Sequence, residues 1–294
     1  MSSNTKLIGT GVALVTPFKK DFSIDFEAYR QLIEFVSAGS LEYLVVNGTT
    51  GESPTLSWKE KLSLLNFTIE NNPKRLPIVF GHGGNNTLQL IDELDELKGF
   101  PIEALLSANP YYNKPSQDGI IQHYEMLADA SKHPILLYNV PYRSSSNMDA
   151  KTSLELAQHK NILGIKEASG NLVQGLEILK DKPEDFLVLA GDDVTAFPLV
   201  CMGAQGVISV IANYEPFVFS EMIRETLKGN MASGRKLNLA LTDLYEYMSL
   251  EGNPTSVKTA LEAKGICKRI VRPPLVEGSE KLFNIFIERQ KKGA

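Results

Sequence analysis

The stretch Leu163-Gly-Ile-Lys-Glu-Ala-Ser-Gly-Asn171 carries one lysine inside an apolar run that then breaks into small polar residues. It reads as a buried strand ending at a reactive amine. Alternation along a strand places Gly164, Lys166 and Ala168 on one face and Leu163, Ile165 and Glu167 on the other. The lysine then shares its face with the two smallest side chains, which leaves room for a ligand beside the ammonium. A confined, poorly solvated site lowers a lysine pKa below its usual value of about 10.4, and a neutral amine attacks ketones. Taken alone, the stretch favours a plainer reading, a lysine whose head reaches water from a strand end. The rest of the chain reverses that preference.

Seven more β-branched or apolar runs surround this one. Together they occupy residues 11–15, 41–46, 77–80, 102–106, 134–138, 163–166, 186–190 and 206–211. Each is followed by a cluster of Gly, Pro, Asn, Ser or Thr and then by an amphipathic segment, as at 26–36, 59–69, 88–97 and 119–130. Eight such units predict an α/β protein, a (β/α)8 barrel over residues 1–229. An open doubly wound sheet is disfavoured because no G-x-G-x-x-G follows the first run. Residues 232–250, 254–264 and 279–289 read as further helices, a C-terminal helical region over 230–294.

Composition narrows the function. A net charge of −5 with 22% charged residues gives no basic footprint for nucleic acid. Cys201 and Cys267 lie far apart without metal-type spacing and read as reduced thiols. Neither a targeting pattern at residues 1–10 nor a membrane-length apolar run is seen, so a cytoplasmic protein is expected. Its partners should be small molecules or other protein subunits.

In such barrels, chemistry sits at the C-terminal ends of the strands. After the second run, Asn47-Gly-Thr-Thr-Gly-Glu52 sets two hydroxyls between glycines, a turn suited to a carboxylate. The fourth run leads into Ala108-Asn-Pro-Tyr-Tyr-Asn-Lys-Pro115 and the fifth into Leu137-Tyr-Asn-Val-Pro-Tyr-Arg143, so tyrosines crowd one rim. Phenols relay protons where a carbinolamine must lose water. Arg143 adds a fork that fits a carboxylate. Asp192 and Asp193 after the seventh run disfavour a phosphate site, and one of them suits a helix cap. With four scattered histidines, neither a catalytic metal nor a cofactor is expected.

These fragments resemble the dihydrodipicolinate synthase family of class I pyruvate-dependent lyases and aldolases. The similarity runs through Gly9-Thr-Gly-Val-Ala-Leu-Val-Thr-Pro-Phe18, Gly48-Thr-Thr-Gly-Glu-Ser53, Tyr111-Tyr-Asn-Lys-Pro115, Tyr138-Asn-Val-Pro141, Gly164-Ile-Lys-Glu-Ala168 and Gly206-Val-Ile-Ser209. Beyond the barrel it adds only Asn253-Pro254 followed by Lys258. The resemblance implies that Lys166 forms a Schiff base with pyruvate, whose enamine attacks L-aspartate 4-semialdehyde in lysine and diaminopimelate biosynthesis. It implies Tyr138 as general acid/base, linked by Thr49 to Tyr112 from a neighbouring subunit. It gives Thr50, with the N–H groups of Thr49 and Thr50, to the pyruvate carboxylate, Arg143 to the semialdehyde carboxylate, and turns the Ile208 carbonyl toward the site. A homodimer or homotetramer follows from the same likeness. N-acetylneuraminate lyases tend to carry Ser-Thr in the Gly-Thr-Thr-Gly loop and lack the arginine, which makes them the runner-up, followed by keto-deoxy sugar acid aldolases. A non-catalytic sensor barrel is the alternative from another class.

Feedback-inhibited members of the family bind L-lysine near the positions held here by Ser53, Pro54, Trp58, Lys61, Asn85, Gln89 and Tyr111. Where sensitive enzymes place His and Glu, this chain has Lys61 and Gln89. One cation is added and one carboxylate is lost, so a degenerate effector site with weak L-lysine inhibition is expected.

Overall fold

The computed structural model describes residues 6–292. Eight parallel strands, each hydrogen-bonded to the next, close into a barrel. They are β1 (Gly9–Ala13), β2 (Tyr43–Val46), β3 (Ile78–Gly81), β4 (Ala104–Ala108), β5 (Ile135–Asn139), β6 (Ile162–Glu167), β7 (Leu187–Ala190) and β8 (Gly206–Ser209). The expected (β/α)8 architecture is therefore the observed one. Residues 1–5, part of the stretch searched for a targeting signal, and 293–294, the end of the expected C-terminal region, lie outside the described residues.

Strands buried on both faces need apolar residues on each. Val46, Phe80, Leu105, Leu137, Ile165 and Val188 point to the helices, while Val45, Val79, Leu106, Leu136, Leu189 and Ile208 fill the interior. Helices begin where a short polar side chain takes a first-turn N–H, as Asp25, Ser57, Asn86, Ser116, Asn171 and Asp192 do. Ser57 and Glu60 complete a reciprocal capping box. Among the described residues, no helix is long and apolar enough to cross a membrane.

Three expectations need correction. Strict alternation set Leu163 opposite Lys166, but Leu163 belongs to the inner layer. The β5–β6 pairing shifts register, from Ile135 opposite Ile162 to Leu136 opposite Gly164, and that extra residue turns Leu163 inward. The eighth run ends at Ser209 rather than at 211, because the Asp193 carboxylate accepts the N–H groups of Val210 (3.1 Å) and Ile211 (2.9 Å) and draws the chain into a short helical turn, Ile211–Asn213. The helix expected over 232–250 divides into Met231–Ala240 and Thr242–Ser249. There the Leu241 N–H bonds to Asn238 O and Thr242 Oγ1 donates to Leu239 O, which replaces the regular ladder.

Candidate active site

Lys166 on β6 and Tyr138 on β5 are register partners, so the closed barrel brings them side by side. The Lys166 Nζ stands 4.2 Å from the centroid of the Tyr138 ring. Both residues are buried, at 5% and 6% exposure, and among the described residues no salt bridge involves Lys166. Space beside the amine comes from a different glycine than the strand pattern suggests. At Gly164 a Cβ would strike the Leu187 carbonyl at 2.4 Å, so that glycine admits the neighbouring strand. At Gly191 a Cβ would fall 2.8 Å from Lys166 Cγ and 2.9 Å from its Cε, so that glycine clears the lysine's path.

The amine opens into a cavity of about 210 Å³ whose wall includes Thr50, Tyr138, Arg143, Gly191, Asp193 and Asn253. Thr50 is buried in the short turn Thr49–Gly51. That turn is closed by the N–H groups of Gly51 and Glu52, which leaves those of Thr49 and Thr50 out of its own hydrogen bonds. Thr50 Oγ1 accepts from Asn253 Nδ2 at 3.0 Å, so the hydroxyl's own proton is available to a ligand. Arg143 packs on the Tyr142 ring, donates from Nη2 to Asn253 O at 3.1 Å and lines the cavity. Asp192 caps the helix Asp193–Cys201, in keeping with the helix-starting role expected for one aspartate. Burial lifts the Asp193 carboxyl to about 6 against hydrogen bonds from Ser209 and the Ile211 and Val210 amides.

The structure does not gather every expected residue into this cavity. Ile208 lies in the inner layer of β8, and the cavity wall on that side is Val210 and Ile211. Thr49 lines a second, smaller cavity together with Tyr138, Ser53, Pro54, Lys61 and Tyr111. Tyr112 is 89% exposed, with φ 72°. A single chain thus leaves this tyrosine out of its own site.

Around the expected effector position, Asn85 Nδ2 donates to Tyr111 O at 3.1 Å and Trp58 Nε1 to Glu96 at 2.8 Å. Gln89 donates to Glu93 at 2.9 Å, and the same carboxylate lies 3.7 Å from His82 Nδ1. Burial lowers the Lys61 ammonium, and Glu93 opposes that shift. Counting charges at positions 61 and 89 alone missed Glu93, one helical turn beyond Gln89; its i, i+4 spacing was the available signal.

Residues 6–286 match the family model described as the dihydrodipicolinate synthetase family. The chain belongs to this family. It is 48% identical over 276 residues to the 4-hydroxy-tetrahydrodipicolinate synthase of Cytophaga hutchinsonii, covering 94% of this chain and 93% of that protein. Among solved structures, dihydrodipicolinate synthase from Aquifex aeolicus superimposes with a TM-score of 0.93 at 37% identity over 98% of each chain. The chloride-inhibited dihydrodipicolinate synthase from Acinetobacter baumannii complexed with pyruvate gives 0.94 at 35% identity, covering 97% of this chain and 98% of that one. The sequence pattern assigns no role to Gly191 or Asn253; their places at the lysine and at Thr50 come from contacts across the barrel mouth, which spacing does not encode.

Proposed function

We propose that this chain condenses pyruvate with L-aspartate 4-semialdehyde through a Schiff base on Lys166, as a 4-hydroxy-tetrahydrodipicolinate synthase serving lysine and diaminopimelate biosynthesis. The observation that carries the reading is the Lys166 amine over the Tyr138 ring, in a cavity with Thr50 and Arg143 on its wall. The amine adds to the ketone carbon of pyruvate, and the carbinolamine loses its hydroxyl as water once a proton is supplied. Loss of a methyl proton from the iminium gives the enamine, whose terminal carbon forms the new C–C bond to the aldehyde. The aldehyde oxygen takes a proton to become a hydroxyl; the amine of the semialdehyde then attacks the former ketone carbon and so closes the ring, and the bond to Lys166 breaks as its amine leaves with a proton.

Tyr138 serves as the proton carrier for these steps, with Thr49 joining it to Tyr112 of a second copy. The pyruvate carboxylate takes the Thr50 hydroxyl and the N–H groups of Thr49 and Thr50, and Arg143 takes the carboxylate of the semialdehyde. The 89% exposure of Tyr112 supports an assembly of at least two copies, as homodimer or homotetramer. Borohydride reduction with pyruvate should leave a reduced adduct that peptide mapping places on Lys166. An adduct on another lysine, or none, overturns the reading. Parallel assays with L-aspartate 4-semialdehyde and N-acetylneuraminate separate this activity from that of a sialic-acid lyase.

A further inference from the structure

We propose that the buried Lys258–Glu52 ion pair is a positioning device that holds the pyruvate-carboxylate turn Thr49–Gly51 from the C-terminal segment of the chain. It rests on the reading of the reaction given above and adds two residues that do not touch substrate. Neither lines the cavity at Lys166 or the smaller one at Thr49.

Glu52 directly follows the turn, in a left-handed conformation with φ 58° and ψ 36°, and its N–H bonds to Thr49 O. Holding a non-glycine residue there requires surroundings that over-determine it. Those surroundings come from residues more than 200 positions away. Lys258 Nζ donates to Glu52 Oε1 at 2.5 Å and to Ile270 O at 2.8 Å, and it lies 4.2 Å from the Phe18 ring centroid. Arg272 N–H donates to the other carboxylate oxygen, Oε2, at 2.9 Å. The Lys258 and Glu52 side chains are 0% and 1% exposed, so the pair is dry and each charge has directed partners.

Three further bonds make this more than a fold-wide cross-link. The segment that carries Lys258 also presents Asn253, which donates to Thr50 Oγ1 and whose carbonyl accepts from Arg143. On the opposite side, Thr16 Oγ1 donates to Gly51 O at 2.7 Å. The turn is therefore clamped between the loop that follows β1 and the C-terminal segment, with its Thr49 and Thr50 amides left for a ligand. A buried ion pair generally contributes little net stability over an apolar contact of the same shape, but it is directional. Here it sets the position of the atoms that receive the pyruvate carboxylate, where a displacement of about 1 Å changes rates by about 10²-fold.

The test uses the full chain with Glu52→Gln, which keeps shape and loses charge, Glu52→Asp, which keeps charge and shortens the reach, and Lys258→Met. For each folded variant, KM for pyruvate and KM for the semialdehyde are measured separately, alongside borohydride trapping and the melting temperature. Glu52→Gln should raise the pyruvate KM by about tenfold or more while the semialdehyde KM stays within about twofold, and Glu52→Asp should fall between it and wild type. Variants that melt earlier but keep the wild-type pyruvate KM, or raise both KM values in parallel, overturn the positioning role. If Lys258→Met does not fold, the two Glu52 variants decide, and Glu52→Asp decides alone if Glu52→Gln is also lost. A wild-type protein that is not trapped by borohydride overturns the underlying reaction and this proposal together. A trapped wild type with an unmoved pyruvate KM in the variants overturns only the latter.

Discussion

Lys166 and Lys258 are both buried, and each holds its Nζ 4.2 Å from the centre of an aromatic ring, Tyr138 for one and Phe18 for the other. Their remaining surroundings differ. Lys258 adds the Glu52 carboxylate and the Ile270 carbonyl and is fully enclosed. Burial pulls its ammonium below the usual lysine range and Glu52 opposes that pull. Lys166 has a cavity beside it, made possible by Gly191. An ammonium with all its acceptors in place has no open side for a substrate. An amine with one ring and an open cavity does. The same residue type over the same kind of ring is thus closed off as a fastening in one place and left open, as the proposed nucleophile requires, in the other.

The contrast breaks most visibly by exchanging the two effects. Lys166→Ala should abolish the borohydride adduct and lower turnover by about 10³-fold or more with the fold intact. Lys258→Met should keep the adduct on Lys166 but lower folding stability by about 3 to 5 kcal/mol, because Glu52 is left as an uncompensated buried charge. Denaturant titration and trapping on both variants decide this. Loss of stability at position 166 with none at 258 would reverse the assignment.

Next in size are the phenols. Tyr138→Phe and Tyr112→Phe should each cost about 10²-fold in kcat, and the double variant should lose less than the product of the two. Full additivity would make their roles separate. Mixing Tyr112→Phe subunits with Lys166→Ala subunits should restore activity, since a site formed by the lysine of one copy and the tyrosine of the other is intact. No recovery in verified hybrids would place Tyr112 in its own chain's site.

Arg143→Ala should raise the semialdehyde KM by about tenfold, the scale of one lost charge-assisted bond, with the pyruvate KM little changed. An equal rise for pyruvate contradicts its assignment.

The smallest effect belongs to a lysine between the two extremes. Lys61 is partly desolvated, with Glu93 close enough to oppose that effect. Repulsion from Lys61 costs an incoming ammonium on the order of 1 kcal/mol, and the carboxylate missing at position 89 removes about 1.5 to 3 kcal/mol. Glu93 offsets part of this, so L-lysine should inhibit only at millimolar concentrations or above. Strong, saturable inhibition well below that would show that Glu93 replaces the lost carboxylate, and Glu93→Gln should then abolish it.

Much of the fold was legible because each βα unit is local. A buried strand needs a short apolar run, and a helix needs a cap within a few residues, such as the structure shows at Ser57, Ser116 and Asn171. The buried lysine was legible too, as a lone lysine in an apolar strand of the sixth unit. Leu163 was misread because a register shift depends on the partner strand, and the break at Leu241 because Thr242 turns its hydroxyl back on the helix.

By itself, then, the sequence determined the number and order of the barrel units, the strand end that carries Lys166, and the families of chemistry open to it. Only the tertiary structure decided that Gly191 rather than Gly164 makes room for the amine, that Asn253 holds the Thr50 hydroxyl, and that Lys258 closes on Glu52. The physical reason is range. Periodicity and capping act over a few residues, whereas the groups that shape this site meet across the mouth of the barrel, from segments whose separation along the chain carries no signal of their contact.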